Sequence, residues 1–141
     1  KIQYLELEKN IIKVKEINRD IVKDTKITIY YDFDKKNIKY NESIKLTNAF
    51  ELLRKHRELN ITLNSHTDNR GSEFYNLKLS YERVQKVIEY FVDKGIDRSR
   101  ISAYGFGEAK PNIDCKVNLK NCTNKDHQLN RRTEILISVK K

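Results

Sequence analysis

Two helical stripes and four alternating apolar stretches punctuate this chain in an order that few folds accommodate. Ile27, Ile29, Tyr31 and Phe33 alternate with Thr28, Tyr30 and Asp32, the period of a strand with one face buried. After the polar turn Asp34-Lys35-Lys36-Asn37, a helix is predicted over Glu42–Arg57 with Asn41 as its cap. Its apolar residues Leu46, Ala49, Phe50 and Leu53 fall at i, i+3, i+4 and i+7. Leu59, Ile61 and Leu63 then alternate as a second strand, and a second helix is predicted over Glu73–Lys94. Leu77, Val84, Val87, Ile88 and Phe91 form its core stripe, and Gly95 stands where a helix-terminating glycine belongs. Ile101 and Ala103 begin a third strand that loosens at Tyr104-Gly105-Phe106-Gly107. A loop over 108–124 and a short helical turn near Asp126–Asn130 precede the last strand, where Thr133, Ile135, Ile137 and Val139 alternate.

Strands interleaved with helices imply right-handed βαβ crossovers that pack the helices on a sheet. The last strand follows no long helix, so it is expected to join antiparallel. The expected fold is an α/β two-layer sandwich with one mixed sheet.

Composition bounds the rest. Ile, Leu, Val and Phe make up about 28% of the 141 residues, above the roughly 20% below which charged chains stay disordered. The length suits one domain with a sizeable core. No window approaches the ~18 consecutive apolar residues of a membrane-spanning helix. The net charge of +9 invites an anionic partner. Its Lys and Arg are interspersed with Asp and Glu, however, as on a solvated surface. Residues 1–25 show neither period clearly and read as a lead-in or the end of a preceding region. The opening Lys1 reads as a processed protein or an excised piece.

Cys115 and Cys122 flank a polar, loop-like segment. They suit a small disulfide staple in an oxidising compartment, a pair of free thiols, or half of a metal site. A zinc site needs four ligands, and His127 is the one nearby histidine.

The loop His66-Thr67-Asp68-Asn69-Arg70-Gly71 leaves the C-terminal end of a strand and precedes a helix, where α/β sheets place ligands. Asn76, Leu79 and Arg83 share one face of that helix. Asp68 can therefore meet Arg83 at the loop–helix junction. Together they suit a zwitterion, the carboxylate accepting from an ammonium and the guanidinium holding a carboxylate. A structural Asp68–Arg83 salt bridge is the alternative. Asn130-Arg131-Arg132 forms a second polar cluster, suited to an anion or to nearby carboxylates. Catalysis has little support. Ser65 and His66 are consecutive in a strand and point to opposite faces. His56, His66 and His127 lack metal-ligand spacing, and Gly105-Phe106-Gly107 leads into no helix. No cofactor or metal is expected.

These motifs together resemble the OmpA-like peptidoglycan-binding domain. The resemblance rests on Tyr30-Tyr31-Asp32-Phe33-Asp34, the loop 66–71, Tyr75-Asn76, Leu79-Ser80, Arg83 and Val87. It continues through Gly95-Ile96, Arg100-Ile101, Gly105-Phe106-Gly107-Glu108, Pro111 and Asn130-Arg131-Arg132-Thr133-Glu134-Ile135. It spans about residues 27–138 and makes 26–141 the domain. The fold implied is a βαβαβ-β mixed four-stranded sheet with helices on one side. The function implied is non-covalent, non-enzymatic attachment to peptidoglycan through the diaminopimelate of its stem peptide. By this resemblance Asp68 contacts the ligand's ammonium and Arg83 its carboxylate. Tyr31, Asp32, Thr67, Asn76, Leu79 and Arg131 are secondary candidates.

Val84 stands where the family usually has alanine, and the segment from Asp114 to Gln128 is longer than in the commonest members. That longer segment resembles the Bacteroidetes-type variant. The implied location is the periplasm, beside the outer membrane of a Gram-negative bacterium, where a Cys115–Cys122 disulfide is expected. The parent protein is expected to be outer-membrane associated, with a Pal-type lipoprotein or a flagellar-stator-like anchor as alternative settings. A basic nucleic-acid-binding domain is the rival from another class. Tyr31 and Phe33, read as sheet core, speak against it. Replacing Asp68 or Arg83 by alanine is expected to remove binding while the fold survives.

Overall fold

The computed structural model describes residues 25–115 and 122–139. Residues 1–24 of the lead-in expected over 1–25, and the segment between the two cysteines, 116–121, lie outside the described residues.

Within the described residues the elements run β1 (Lys26–Tyr30), α1 (Tyr40–Lys55), β2 (Leu59–His66), α2 (Glu73–Asp93), a 3₁₀ turn (Arg98–Arg100), β3 (Ile101–Gly105), α3 (Asn124–Asn130) and β4 (Arg132–Val139). The four strands form one sheet in the order β1-β4-β2-β3. β4 runs antiparallel to both β1 and β2, while β2 and β3 are parallel. The expected mixed sheet with a late antiparallel strand is what forms. β4 occupies an interior position, so the last strand in sequence closes the sheet between the first two.

One sheet face carries the core. Ile29, Leu59, Ile61, Leu63, Ile101, Ile135 and Ile137 meet Leu46, Ala49, Leu52 and Leu53 of α1 and Val84, Val87, Ile88 and Phe91 of α2 in a single buried cluster. Both long helices thus cover the same face, which makes two layers. The alternation in β2 and β4 is realised directly, since every second residue from Leu59 to Leu63 and from Thr133 to Ile137 is buried.

Several sequence expectations are corrected. α1 starts at Tyr40 with Lys39 in the cap position and no side-chain cap, so Asn41 lies inside the first turn. This start turns the carboxylate of Glu42 toward β1, where it accepts the Tyr30 N–H at 2.6 Å. The helix stops at Lys55, because residues 56–58 make the turn into β2 through a Leu59 N–H to His56 carbonyl bond. Arg100 then donates to the carbonyls of Leu53, His56 and Leu59, capping the end of α1 from a distant turn.

α2 was expected to bury Leu77, which is instead half exposed. Val84, Val87, Ile88 and Phe91 are buried as expected, and in the first turns the inward face is made by Asn76, Leu79, Ser80 and Arg83 instead. Its end agrees with the sequence. Ile96 N–H bonds to the Phe91 carbonyl and Gly95 N–H to that of Val92, while Gly95 takes φ +103°. That pair of bonds with a left-handed residue is a Schellman termination.

Phe33 is not core. The β1 ladder ends at Tyr30, and a turn at Asp32–Lys35, with Asp34 at φ +58°, breaks the alternation. Phe33 is left 53% exposed while Tyr31 is buried. The short helix α3 begins at Asn124, held by a capping box between Thr123 and Asp126.

Candidate functional site

β2 ends on the buried run Ser65-His66-Thr67-Asp68. Ser65 faces the helices, where its hydroxyl meets that of Thr133 at 2.9 Å, and Thr133 in turn meets the Tyr31 hydroxyl at 2.8 Å. His66 faces the opposite side and stacks on Phe106. The two are separated by the sheet, as consecutive strand residues must be. Burial, then the positive charge of Arg132, pushes the His66 imidazole down to about 4.

The loop after β2 is held from two sides. Thr67 N–H bonds to the Gly107 carbonyl, and Phe106 N–H to that of Ser65. Gly107 N–H bonds to the Ser80 hydroxyl on α2. Gly105 permits this approach: a Cβ there would lie 2.8 Å from Ser80 Oγ and 2.9 Å from the main-chain nitrogen of Tyr81.

Between this loop, the β1–α1 turn and the start of α2 lies a cleft of about 200 Å³. Thr67, Asp68, Asn76, Leu79, Arg83 and Arg131 all line it, together with Phe33, Asp34, Arg70, Gly71 and Tyr75. Six residues singled out from the sequence therefore converge. Tyr31 and Asp32 do not line it. The Tyr31 ring is buried beneath, with the Arg83 guanidinium 4.5 Å from its centre, and burial pushes its hydroxyl up to about 12. Asp32 turns its carboxylate outward to Lys39 Nζ at 3.1 Å and contributes only a carbonyl.

Asp68 and Arg83 share the cleft, but the contact expected between them is replaced. Asp68 Oδ2 accepts from Arg70 Nη2 at 2.8 Å and from Arg131 Nη1 at 3.2 Å, while Oδ1 accepts the Arg70 main-chain N–H at 3.0 Å. Burial raises its pKa, but the hydrogen bonds from Arg70, then from Arg131, outweigh that and hold the carboxyl below its usual range. Arg83 donates to the carbonyls of Lys35 at 2.8 Å, His66 at 3.0 Å and Asp32 at 3.4 Å. These carbonyls come from the β1–α1 turn and the last residue of β2, so the guanidinium pins the two together from below. Burial lowers it to about 10, and it stays charged at neutral pH.

Arg131 reaches the cleft because its Nε bonds to the Tyr31 carbonyl at 2.8 Å while its own carbonyl accepts the Tyr31 N–H. Arg132, its neighbour, leaves for the far face, bonding Glu134 at 3.0 Å and the Lys110 carbonyl. Asn130 precedes them, fully buried, and its amide holds the main chain of Asn112 and Ile113. Cys115 and Cys122 are joined in a disulfide with Cα atoms 5.6 Å apart. Cys115 Sγ lies 3.9 Å from the Asn130 side-chain nitrogen. The staple therefore borders the segment that delivers Arg131.

Sequence reasoning missed Arg70, Phe33, Asp34 and Tyr75. Arg70 stands two residues after Asp68 in the same loop, a spacing suited to a local carboxylate turn, and was the most recoverable. Among the described residues, no group of three or more His, Cys, Asp or Glu is placed to hold a metal. No described helix is long and apolar enough to cross a membrane.

The sequence model of the OmpA family matches residues 30–125. The chain is 31% identical over 109 residues to outer membrane porin F of Pseudomonas aeruginosa, covering 77% of this chain and 29% of the porin. It is 36% identical over 110 residues to photosystem I P700 chlorophyll a apoprotein A2 of Gloeobacter violaceus, covering 77% of this chain and 12% of that protein. The chain thus spans less than a third of these curated relatives. Among solved structures, the peptidoglycan-associated lipoprotein from Burkholderia pseudomallei superposes with a TM-score of 0.70 at 23% identity, covering 79% of this chain and 89% of that one. At that identity the likeness concerns the fold.

Proposed function

Because the chain belongs to the OmpA family, we propose that its cleft binds peptidoglycan without turnover, through the diaminopimelate of the stem peptide. Asp68 receives the ammonium of that residue and Arg83, from the opposite wall, attracts its carboxylate. Thr67, Asn76, Leu79 and Arg131 shape the pocket, and Tyr31 supports Arg83 from below. The domain then anchors an outer-membrane-associated or periplasmic parent protein to the cell wall. The name of the structural relative, a peptidoglycan-associated lipoprotein, favours that partner.

The observation that carries this reading is the cleft's composition. A carboxylate and two guanidiniums, all buried, line one cavity of about 200 Å³. Buried charge of both signs in a cavity of that size suits a small zwitterionic head group. A nucleic-acid ligand would find no such use for Asp68, and its affinity would fall steeply with salt.

Calorimetric titration with a diaminopimelate stem peptide tests the proposal. Saturable binding, lost with the lysine analogue and in Asp68→Ala, is expected. Equal affinity for both peptides, or none at millimolar ligand, would remove it.

A further inference from the structure

The cleft's lining holds an imbalance that a single zwitterion does not resolve. Three guanidiniums, of Arg70, Arg83 and Arg131, face two carboxylates, of Asp34 and Asp68. Asp68 Oδ2 already accepts from two arginines, so an ammonium that docks on that oxygen displaces one of them. Arg131 is the poorer candidate to leave. Its side chain is 11% exposed and its Nε is fixed on the Tyr31 carbonyl. The Arg70 side chain is 38% exposed and hinged on the loop itself. Its other contact is the exposed ring of Phe33, whose centre lies 4.1 Å from the guanidinium carbon. An aromatic face tolerates sliding of a cation better than a hydrogen-bonding partner does. Arg70 also keeps its main-chain N–H on Asp68 Oδ1 when its side chain swings.

We propose that Arg70 is an exchangeable guanidinium that determines ligand specificity. It neutralises Asp68 in the empty cleft and yields Asp68 Oδ2 to the ligand's ammonium. It then takes a second carboxylate of the same peptide at the cleft mouth. The ligand class is a peptide with one ammonium and two carboxylates. In a stem peptide the second carboxylate comes either from the neighbouring isoglutamyl residue or from the C-terminus. This rests on the reading of the cleft as a diaminopimelate site.

The test is a titration of the wild-type domain, Arg70→Gln and Arg70→Lys with three diaminopimelate peptides. One is the free acid, one is amidated at the isoglutamyl carboxylate, and one at the C-terminus. In the wild type, amidation at one of the two positions is expected to cost about tenfold in affinity, the size of one charged hydrogen bond. That loss should disappear in Arg70→Gln and be partial in Arg70→Lys. The position that matters identifies the source of the carboxylate. Equal losses on amidation in wild type and Arg70→Gln would overturn the proposal, as would a uniform gain for all three peptides in Arg70→Gln, which makes Arg70 a mere competitor. Failure of the wild type to bind the free-acid peptide would instead overturn the diaminopimelate reading, and this proposal with it.

Discussion

The guanidinium of Arg83 lies 4.5 Å from the centre of the Tyr31 ring, and neither residue is more than 1% exposed. A cation sealed over an aromatic face, with three carbonyls for acceptors, is a structural keystone as well as a candidate ligand group. Its replacement therefore has two consequences. Arg83→Ala is expected to lose binding and also about 2–4 kcal/mol of stability, because the buried carbonyl of His66 and the part-buried carbonyl of Lys35 lose their donor. Asp68→Ala is expected to lose binding at a smaller stability cost, since Arg70 can turn to solvent and Arg131 keeps its bond to the Tyr31 carbonyl. Urea denaturation beside the peptide titration separates the two. Equal stability of the variants would contradict the keystone role.

Acid should destabilise the domain in two steps. The His66 imidazole titrates near 4 when folded, below its ordinary 6.5, so the folded state binds the proton less readily. Its contribution is fully present above pH 6.5 and is lost as pH falls toward 4, about 3 kcal/mol over the window. Asp68 and Glu134, both held below their usual ranges by arginines, act lower. Their contribution is present above pH ~4 and is lost as pH falls through their depressed values. Melting temperatures of the wild type and His66→Phe between pH 4 and 7 check this. The variant should show a flatter profile, and parallel profiles would refute the assignment.

Gly105→Ala should be costly. The new Cβ would press on the main chain of Tyr81 as well as on Ser80 Oγ, and main chain has little room to retreat. About 1–3 kcal/mol is expected from such overpacking, readable as a shift in denaturation midpoint with unchanged slope.

Reduction of the Cys115–Cys122 bond should lower the melting temperature by an amount equivalent to about 2–3 kcal/mol, the loop-closure value for a short loop. Because Cys115 borders Asn130, peptide affinity should also fall modestly through Arg131. Calorimetry with and without a phosphine reductant reads the first effect, and titration in the same buffers the second. A cysteine pair whose reduction leaves both unchanged would be ornamental to fold and site alike.

The order of elements, the sandwich and the antiparallel last strand were legible in the sequence because alternation and helical period report directly which faces are buried. Gly95 ended its helix as read, since left-handed backbone selects glycine. The convergence of Thr67, Asp68, Asn76, Leu79, Arg83 and Arg131 was legible in part from spacing along β2 and α2, and fully only through the family resemblance. The first turns of α2 were harder to read, although Val84, Val87, Ile88 and Phe91 are buried as the period implied. Leu77 is apolar and Asn76 polar, yet Asn76 goes inside, because the close approach at Gly105 and Gly107 fixes how that helix turns toward the sheet.

Tertiary structure decided the distant partners. Asp68 and Arg83 were matched by charge and proximity, but Arg131, 63 positions away, takes the carboxylate because β4 enters the sheet between β1 and β2. Arg100 caps α1 because β3, which it precedes, pairs with β2, and Glu42 serves a main-chain N–H of β1 because α1 packs on that strand. A residue's period follows from its near neighbours in the chain, whereas its ion-pair and hydrogen-bond partners follow from which distant segments the core brings together.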